Sequence, residues 1–220
     1  MFSIYIRFGF AFLFLTVIVF NNTVNAQKTS LKPYNIKSGI IEYKYSGFRT
    51  GKSTLYFDDY GLKNAMKNEI KSDYKNDNTW VISLKEDQYI FDPAKPDEGI
   101  KMKNPLLEGF FEMQQKDYDE FVEEFYSRIG YKIEGKEKYL GKDCIVYKGE
   151  LGKVLIWDGI MLYMESDFGG VKSKQEATSV KVNVPVDAKY FQIPKNIKFK
   201  EAPDIDDIDK LLEQDEDSEK

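Results

Sequence analysis

The chain has 220 residues, of which 42% are hydrophobic and 15% aromatic, and its 32 basic and 37 acidic residues give a net charge of −5. It contains no histidine and a single cysteine. These counts exclude catalytic triads and pairs that use an imidazole, internal disulfides, and zinc sites of the usual Cys/His kind. The length is sufficient for one well-filled core or two small ones.

The first 26 residues have the organisation of a secretory signal peptide. One positive charge, Arg7, precedes an apolar run from Phe8 to Phe20, which is shorter than the roughly 18 residues that a membrane span requires. The sequence Val24-Asn25-Ala26 is similar to a small-residue cleavage site, so we place the cut before Gln27. The residue directly after the cut is Gln27 and not cysteine, which excludes lipidation there. We therefore expect a periplasmic chain, not lipidated and without a transmembrane span after cleavage, whose main domain covers residues 27–200.

Short alternating runs predict antiparallel strands before and after a central section. In the first half these runs are Ile41–Tyr45, Thr54–Asp58, Thr79–Leu84 and Gln88–Asp92. The segment Pro93–Pro105 holds three of the seven prolines and is predicted to be a loop. After Gly130 the strands resume, with glycines at the reversals, at Tyr131–Tyr139, Asp143–Lys148, Lys153–Trp157, Ile160–Glu165, Val171–Val184 and Ile197–Lys200.

The central section has a helical period. Apolar residues recur at i, i+3, i+4, i+7, i+8 and i+11, at Tyr118, Phe121, Val122, Phe125, Tyr126 and Ile129. Gly130 follows at the position of a C-cap, and Leu106–Met113 is either a shorter helix or an apolar flap. The order predicts one α+β domain, in which a large curved antiparallel sheet, an incomplete β-barrel, wraps a short helical section.

Five motifs that suggest catalysis lack the context that their chemistry needs. Ser46–Ser53 lacks the first glycine of a phosphate-binding loop and precedes a predicted strand, and Asp167-Phe168-Gly169 has no histidine-containing catalytic loop to accompany it. Ser72-x-x-Lys75 has no Lys-Thr-Gly partner. The neighbouring carboxylates in Asp58-Asp59 and Glu123-Glu124 point apart. We therefore expect no enzymatic activity, no cofactor and no metal site.

The charge is distributed unevenly along the chain. Residues 201–220 contain ten acids and two lysines, a net charge of −8, whereas residues 27–200 contain 27 acids and 29 bases. A nearly neutral body without a basic stripe indicates that nucleic acid is not a partner. Cys144 lies among apolar neighbours, which predicts a buried thiol.

Five stretches carry a resemblance to a known family. They are Gly51–Gly61, Gly135–Tyr147, Trp157–Leu162, Glu176–Val180 and Phe191–Pro194. Together they resemble exported proteins of Bacteroidota related to the LolA/LolB-like superfamily of periplasmic lipoprotein carriers. The resemblance implies a half-barrel that wraps a helical lid, with an apolar inner surface able to hold acyl chains, and a place in outer-membrane biogenesis. No family-specific functional residue is carried over.

Two functions follow as hypotheses. The first is a periplasmic binding protein or chaperone for a lipid, an acyl chain or another apolar ligand. Its predicted apolar lining consists of Tyr43, Tyr45, Leu55, Phe57, Trp80, Phe91, Phe110, Phe111, Leu155 and Trp157. The alternative is a non-enzymatic adaptor of a cell-envelope assembly that uses the acidic tail. Within this tail a helical stripe follows Pro203, at Ile205, Ile208, Leu211 and Leu212, although such tails are also commonly solvated and frayed.

Overall fold

The computed structural model describes residues 31–72, 76–112 and 117–202. Within them, thirteen strands form one sheet: β1 Gly39–Gly47, β2 Thr50–Asp58, β3 Lys63–Lys71, β4 Asn76–Asp77, β5 Trp80–Leu84, β6 Asp87–Phe91, β7 Gly99–Lys103, β8 Lys132–Tyr139, β9 Lys142–Gly149, β10 Gly152–Trp157, β11 Ile160–Phe168, β12 Val171–Val182 and β13 Phe199–Glu201. Two helices lie between β7 and β8: α1 Pro105–Glu112 and α2 Tyr118–Arg128.

The sheet is built from two antiparallel meanders. Its strand order is β13-β7-β6-β5-β3-β2-β1-β12-β11-β10-β9-β8, with β4 paired to β3. The pairing of β1 with β12 joins the two meanders, and β13 adds to β7 in parallel. The sheet stays open, because β8 and β13 form its two edges within the described residues. The predicted α+β fold, a curved antiparallel sheet that forms an incomplete barrel around a helical section, is confirmed.

The strand order explains why the helices cross one face of the sheet. Strands β7 and β8 lie near opposite edges, so the chain between them must pass over the intervening strands. Tyr45 of β1 is aligned with Gln175 of β12, which is aligned with Met164 of β11, which is aligned with Val154 of β10. The side chains of Tyr45 and Val154 therefore lie on the same face of the sheet. Helix α2 packs on this face, where Tyr126 lies against Tyr147 with ring centroids 4.6 Å apart.

Local sequence signals set the ends of α2. The Asp117 carboxylate accepts a hydrogen bond from the Glu120 amide at 2.9 Å, which is an N-cap interaction. Arg128 lies in the last turn, where a cation interacts favourably with the helix dipole. Gly130 follows with a φ of 85°, a conformation that glycine adopts without steric cost. The predicted helix is thus confirmed, together with its predicted end.

The segment before β1 closes one end of the sheet. The Tyr34 amide donates to the Tyr60 carbonyl at 2.9 Å, and the Asn35 amide donates to the Asp158 carbonyl at 3.0 Å. The segment therefore bridges the β2–β3 and β10–β11 turns. Gly159 in the second turn has a φ of 79°, and a Cβ there would collide with the Pro33 carbonyl.

The segment between β12 and β13 covers the opposite face of the first meander. Tyr56 of β2 is aligned with Ala65 of β3, which is aligned with Ile82 of β5, so the three side chains lie on the same face of the sheet. Because successive residues of a strand point to opposite faces, this is the face opposite to the one that carries Leu55 and Phe57. A 3-10 turn, Ala188–Phe191, places Tyr190 flat against Tyr56 with ring centroids 3.8 Å apart. Both faces of this half of the sheet are therefore covered.

Two elements differ from the sequence prediction. The predicted loop Pro93–Pro105 was wrong in part, because it contains strand β7 at Gly99–Lys103. This strand is stabilised by antiparallel pairing with β6 and parallel pairing with β13, which a five-residue pattern does not encode. Strand β3, Lys63–Lys71, had no predicted counterpart, because its polar sequence forms a strand only between β2 and β5.

Candidate ligand-binding site

The residues of the predicted apolar lining are distributed over three buried clusters. Tyr43, Tyr45, Leu55, Phe57 and Leu155 are buried in the largest cluster, with Trp157 packed at its edge. Phe91 is buried under the segment that precedes β13, where Trp80 packs beside it. Phe110 is buried between the helices, whereas Phe111 is 51% exposed. The structure therefore does not bring all ten residues to one surface.

One predicted residue, Trp157, borders a cleft between α2 and strands β8–β10. The cleft has a volume of about 390 Å³, within the usual range of roughly 300–1,000 Å³ for small-molecule sites. Its apolar floor is formed by Val122 of α2 and by strand residues Ile133, Ile145, Tyr147, Ile156 and Trp157. The sequence predicted an apolar inner surface of the half-barrel, and of the ten residues predicted to line it only Trp157 borders this cleft.

Carboxylates surround the apolar floor. Those that line the cleft are Asp117, Asp119, Glu120, Glu123, Asp143 and Asp158, against a single cation, Lys136. Asp143 pairs with Lys138 at 3.9 Å, whereas the other five form no ion pair among the described residues. The Asp119 and Glu123 carboxylates also contribute to the raised pKa of Tyr147, whose main cause is burial. The rim of the cleft is therefore strongly negative.

Most residues of this floor carry no distinct signal in the sequence. In β10 the run Val154-Leu155-Ile156-Trp157 is apolar on both faces, so alternation alone does not tell which face meets the helix. The predicted lining contains Leu155 and Trp157, whereas Ile156 is the residue that packs toward α2. Only the helical stripe, which contains Val122, was a usable signal for this side of the cleft.

A second cleft of about 280 Å³ lies beneath the segment that precedes β13. Trp80 and Phe91, both predicted lining residues, border it together with Tyr190, Pro194 and Ile197. The Trp80 ring lies nearly parallel to that of Tyr190, with centroids 6.3 Å apart. This cleft is on the face of the sheet opposite to the helices.

Buried tyrosines predict a particular dependence of stability on pH. Burial raises the pKa of Tyr43 and of Tyr118 well above the ordinary value near 10. Above about pH 10 the unfolded chain therefore loses phenolic protons that the folded chain retains. We expect the free energy of unfolding to fall above about pH 10, by up to about 1.4 kcal/mol per pH unit for each such tyrosine, until the pH passes the folded-state pKa. Between about pH 5 and 8 it should change little, because the chain has no histidine.

Urea unfolding at a series of pH values, with absorbance at 295 nm to follow phenolate, measures this effect. In Tyr118→Phe the ring remains but the ionisable hydroxyl is absent, so the alkaline decrease should be shallower. An identical decrease in the variant and the wild type would contradict this explanation.

Three predictions concern residues outside those described. They are the signal peptide of residues 1–26, the extent of the acidic tail of residues 201–220, and the tail stripe Ile205, Ile208, Leu211 and Leu212. They stay predictions. Within residues 31–72, 76–112 and 117–202, no group of three or more Cys, Asp or Glu residues could hold a metal ion, and no helix is long and apolar enough to cross a membrane.

Comparisons with known proteins identify the fold. No protein-family model matches the chain, and no curated protein matches it. Among solved structures, an uncharacterized conserved protein from Thermus thermophilus is similar over 76% of this chain and 92% of its own, with 8% identity and a TM-score of 0.50. The matches include a LolA superfamily protein. That protein, from Nitrosomonas europaea, is 11% identical over 76% of this chain and 95% of its own, with a TM-score of 0.32.

A third match is the Pseudomonas aeruginosa MucA/MucB complex, at 10% identity over 73% of this chain and 57% of the matched chain, with a TM-score of 0.42. The matched structures thus include a protein of the superfamily that the sequence resembles. At these identities the likeness is one of fold alone.

Proposed function

We propose that this protein is a periplasmic binding protein or chaperone that holds an acyl chain or a similar apolar group between helix α2 and the sheet. The observation that carries the proposal is the cleft of about 390 Å³ with an apolar floor at this place. The Val122 and Ile145 side chains that line the cleft are partly exposed, so an apolar group that covers them removes apolar surface from water, which lowers the free energy.

Helix α2 is attached to the sheet in a way that suits a lid. Its contacts with the strands are packing contacts of Val122 and Tyr126 against the cluster that contains Tyr147 and Ile156. A hydrogen bond from Asn35 to Asp119, at 3.5 Å and exposed to solvent, links the helix to the segment before β1. Packing contacts without directional bonds permit small displacements of a helix. We propose that such a displacement enlarges the cleft for a longer chain.

The charge of the rim restricts the ligand's head group. A free carboxylate or phosphate would lie among several unpaired carboxylates, which repel it. We therefore propose that an acyl chain enters from a ligand whose head group is neutral or remains in solvent. A suitable probe is a fluorescent acyl ester without charge, which tests the apolar floor alone.

Filling the cleft tests the proposal. The variant Val122→Trp places an indole over the floor, and we expect the affinity for the neutral acyl probe to fall roughly tenfold or more, because the apolar contact area is lost. The matched control is Glu124→Trp, which puts the same side chain on the same helix at a position that does not border the cleft. Fluorescence titration measures both affinities, and thermal unfolding confirms that both variants fold.

Two results would reject the proposal. One is that the wild-type protein takes up no acyl probe and that native mass spectrometry of protein from its own envelope finds no apolar molecule bound. The other is that Val122→Trp and Glu124→Trp bind the probe equally well.

A further inference from the structure

Four large apolar side chains are exposed at one end of the sheet, on the tips of three hairpins. Phe48 follows β1, Leu151 lies between β9 and β10, and Phe168 and Val171 flank the β11–β12 turn. Their exposed fractions are 40%, 40%, 60% and 48% in the same order. We call these four residues the hairpin-tip surface. Clusters of exposed apolar residues of this kind mark interaction surfaces.

Backbone hydrogen bonds hold the tips beside one another. The Asp167 amide donates to the Leu151 carbonyl at 2.9 Å, and the Phe48 amide donates to the Lys172 carbonyl at 2.8 Å. Phe168 and Val171 are direct cross-strand partners. The four side chains therefore belong to one continuous end of the sheet, although they are distant in the sequence.

The tip of the β11–β12 hairpin is preorganised to project its side chains. Gly169 and Gly170 have φ values of 61° and 93°, which match the two central residues of a tight hairpin turn. The Asp167 carboxylate accepts a hydrogen bond from the Gly170 amide at 2.7 Å and fixes the turn. Phe168 is thus presented to solvent by a defined structure.

Basic residues surround the hairpin-tip surface. Arg49, Lys132 and Lys172 are exposed, and none of them forms an ion pair with another described residue. Lys132 belongs to this end because it pairs in register with Lys148, which precedes the β9–β10 turn. Of the nearby carboxylates, that of Asp167 is engaged in its turn, and that of Glu150 is exposed beside Leu151. The three cations outnumber these two carboxylates, so the surface combines apolar projections with a net positive charge.

We propose that the hairpin-tip surface docks the protein on a bilayer that contains anionic phospholipids. Convex apolar tips do not need a complementary pocket when they enter the boundary between head groups and acyl chains. The adjacent cations then lie at the level of the lipid phosphates, where each contributes about 1 kcal/mol. This docking is a function additional to the proposed ligand binding.

The charge at the other end of the sheet favours the same orientation. The β10–β11 turn at Asp158 borders the acidic cleft, and it is separated from the Leu151 tip by strand β10, whose six residues span about 20 Å. An anionic membrane attracts the hairpin-tip end and repels the acidic end. The docked protein therefore holds the cleft rim away from the lipid head groups.

Vesicle sedimentation tests the proposal on the full chain, expressed so that any processing occurs, with its N-terminus identified by mass spectrometry. We expect binding to vesicles of phosphatidylcholine mixed with phosphatidylglycerol, and weaker binding to phosphatidylcholine alone or at high salt. The double variant Leu151→Ser/Phe168→Ser should bind roughly tenfold less. Lys172→Glu should bind at least about fivefold less to the anionic vesicles.

A matched control is Phe111→Ser, which removes an aromatic side chain of similar exposure, 51%, from helix α1. This variant should bind vesicles as strongly as the wild type. All variants share the same N-terminal residues, so any contribution of those residues to vesicle binding is the same in each protein. A further readout is Phe168→Trp, whose fluorescence should shift to shorter wavelength when anionic vesicles are added.

Three outcomes would overturn the proposal. The first is no binding of the wild type to anionic vesicles. The second is equal binding of Leu151→Ser/Phe168→Ser and the wild type. The third is a Phe168-dependent dimer in light scattering without any vesicle binding, which would assign the surface to a second copy of the chain. Ligand binding in the cleft is measured separately with the acyl probe, so the two proposals fail independently.

Discussion

Phe57→Ala is expected to lower the free energy of unfolding by about 3–5 kcal/mol. Phe57 has no exposed surface in the largest buried cluster, and the Tyr34 ring meets it edge-on with centroids 5.0 Å apart. The substitution removes most of a buried aromatic side chain and leaves a cavity that the strands on either side of β2 cannot fill. It also removes the contact that helps to hold the segment before β1.

Urea unfolding measures this change, with Phe168→Ala as the matched control. Phe168 is 60% exposed, so the same substitution should alter stability by no more than about 0.5 kcal/mol. Equal losses in the two variants would show that Phe57 is not part of a closely packed core.

Gly152→Ala is expected to lower the free energy of unfolding by about 3 kcal/mol or more. Gly152 begins β10 with a φ of 145°, which side chains rarely adopt, and a Cβ there would collide with the backbone carbonyl of Glu165. The neighbouring strand must move away, which weakens the pairing of Gly152 with Ser166 at this end of β10 and β11.

The control for this prediction separates backbone strain from collision. Gly135 of β8 has a φ of 117°, but a Cβ there would meet no atom within 4 Å. Gly135→Ala should therefore cost only the backbone strain, about 1–3 kcal/mol, and less than Gly152→Ala. Hydrogen exchange of the β10 and β11 amides locates the effect, and the prediction is contradicted if Gly135→Ala is the more destabilising variant.

Local patterns were sufficient where a short segment carries all the information. The apolar stripe from Tyr118 to Ile129 predicted α2, and Gly130 marked its C-terminal end, because capping and helical periodicity depend on near neighbours in the sequence. The strands that end at glycine turns, such as β9 and β10, were predicted for the same reason.

Patterns failed where pairing between distant segments decides the structure. Strand β7 is short and lies within a segment bounded by prolines, and it becomes a strand because β6 and β13 both pair with it. Strand β3 has a polar sequence and is placed by β2 and β5. Such pairing is a tertiary effect, which intrinsic strand propensity does not record.

Most residues of the candidate site were not predicted from the sequence. The sequence indicated an apolar inner surface of a half-barrel, and of its ten predicted lining residues only Trp157 borders the cleft beside α2. The choice between Leu155 and Ile156 required knowledge of the face that α2 covers, which follows from the positions of β7 and β8 near opposite edges. The hairpin-tip surface depends on distant residues and has no counterpart in any local pattern.

The sequence by itself determined the properties that depend on composition and near neighbours. The absence of histidine excluded imidazole chemistry, and alternation and helical periodicity indicated an α+β chain with a curved antiparallel sheet. The tertiary structure alone decided which apolar residues are core, cleft or exposed tip. The physical reason is that burial depends on which strands become neighbours, and the pairing of β1 with β12 brings together segments more than one hundred residues apart.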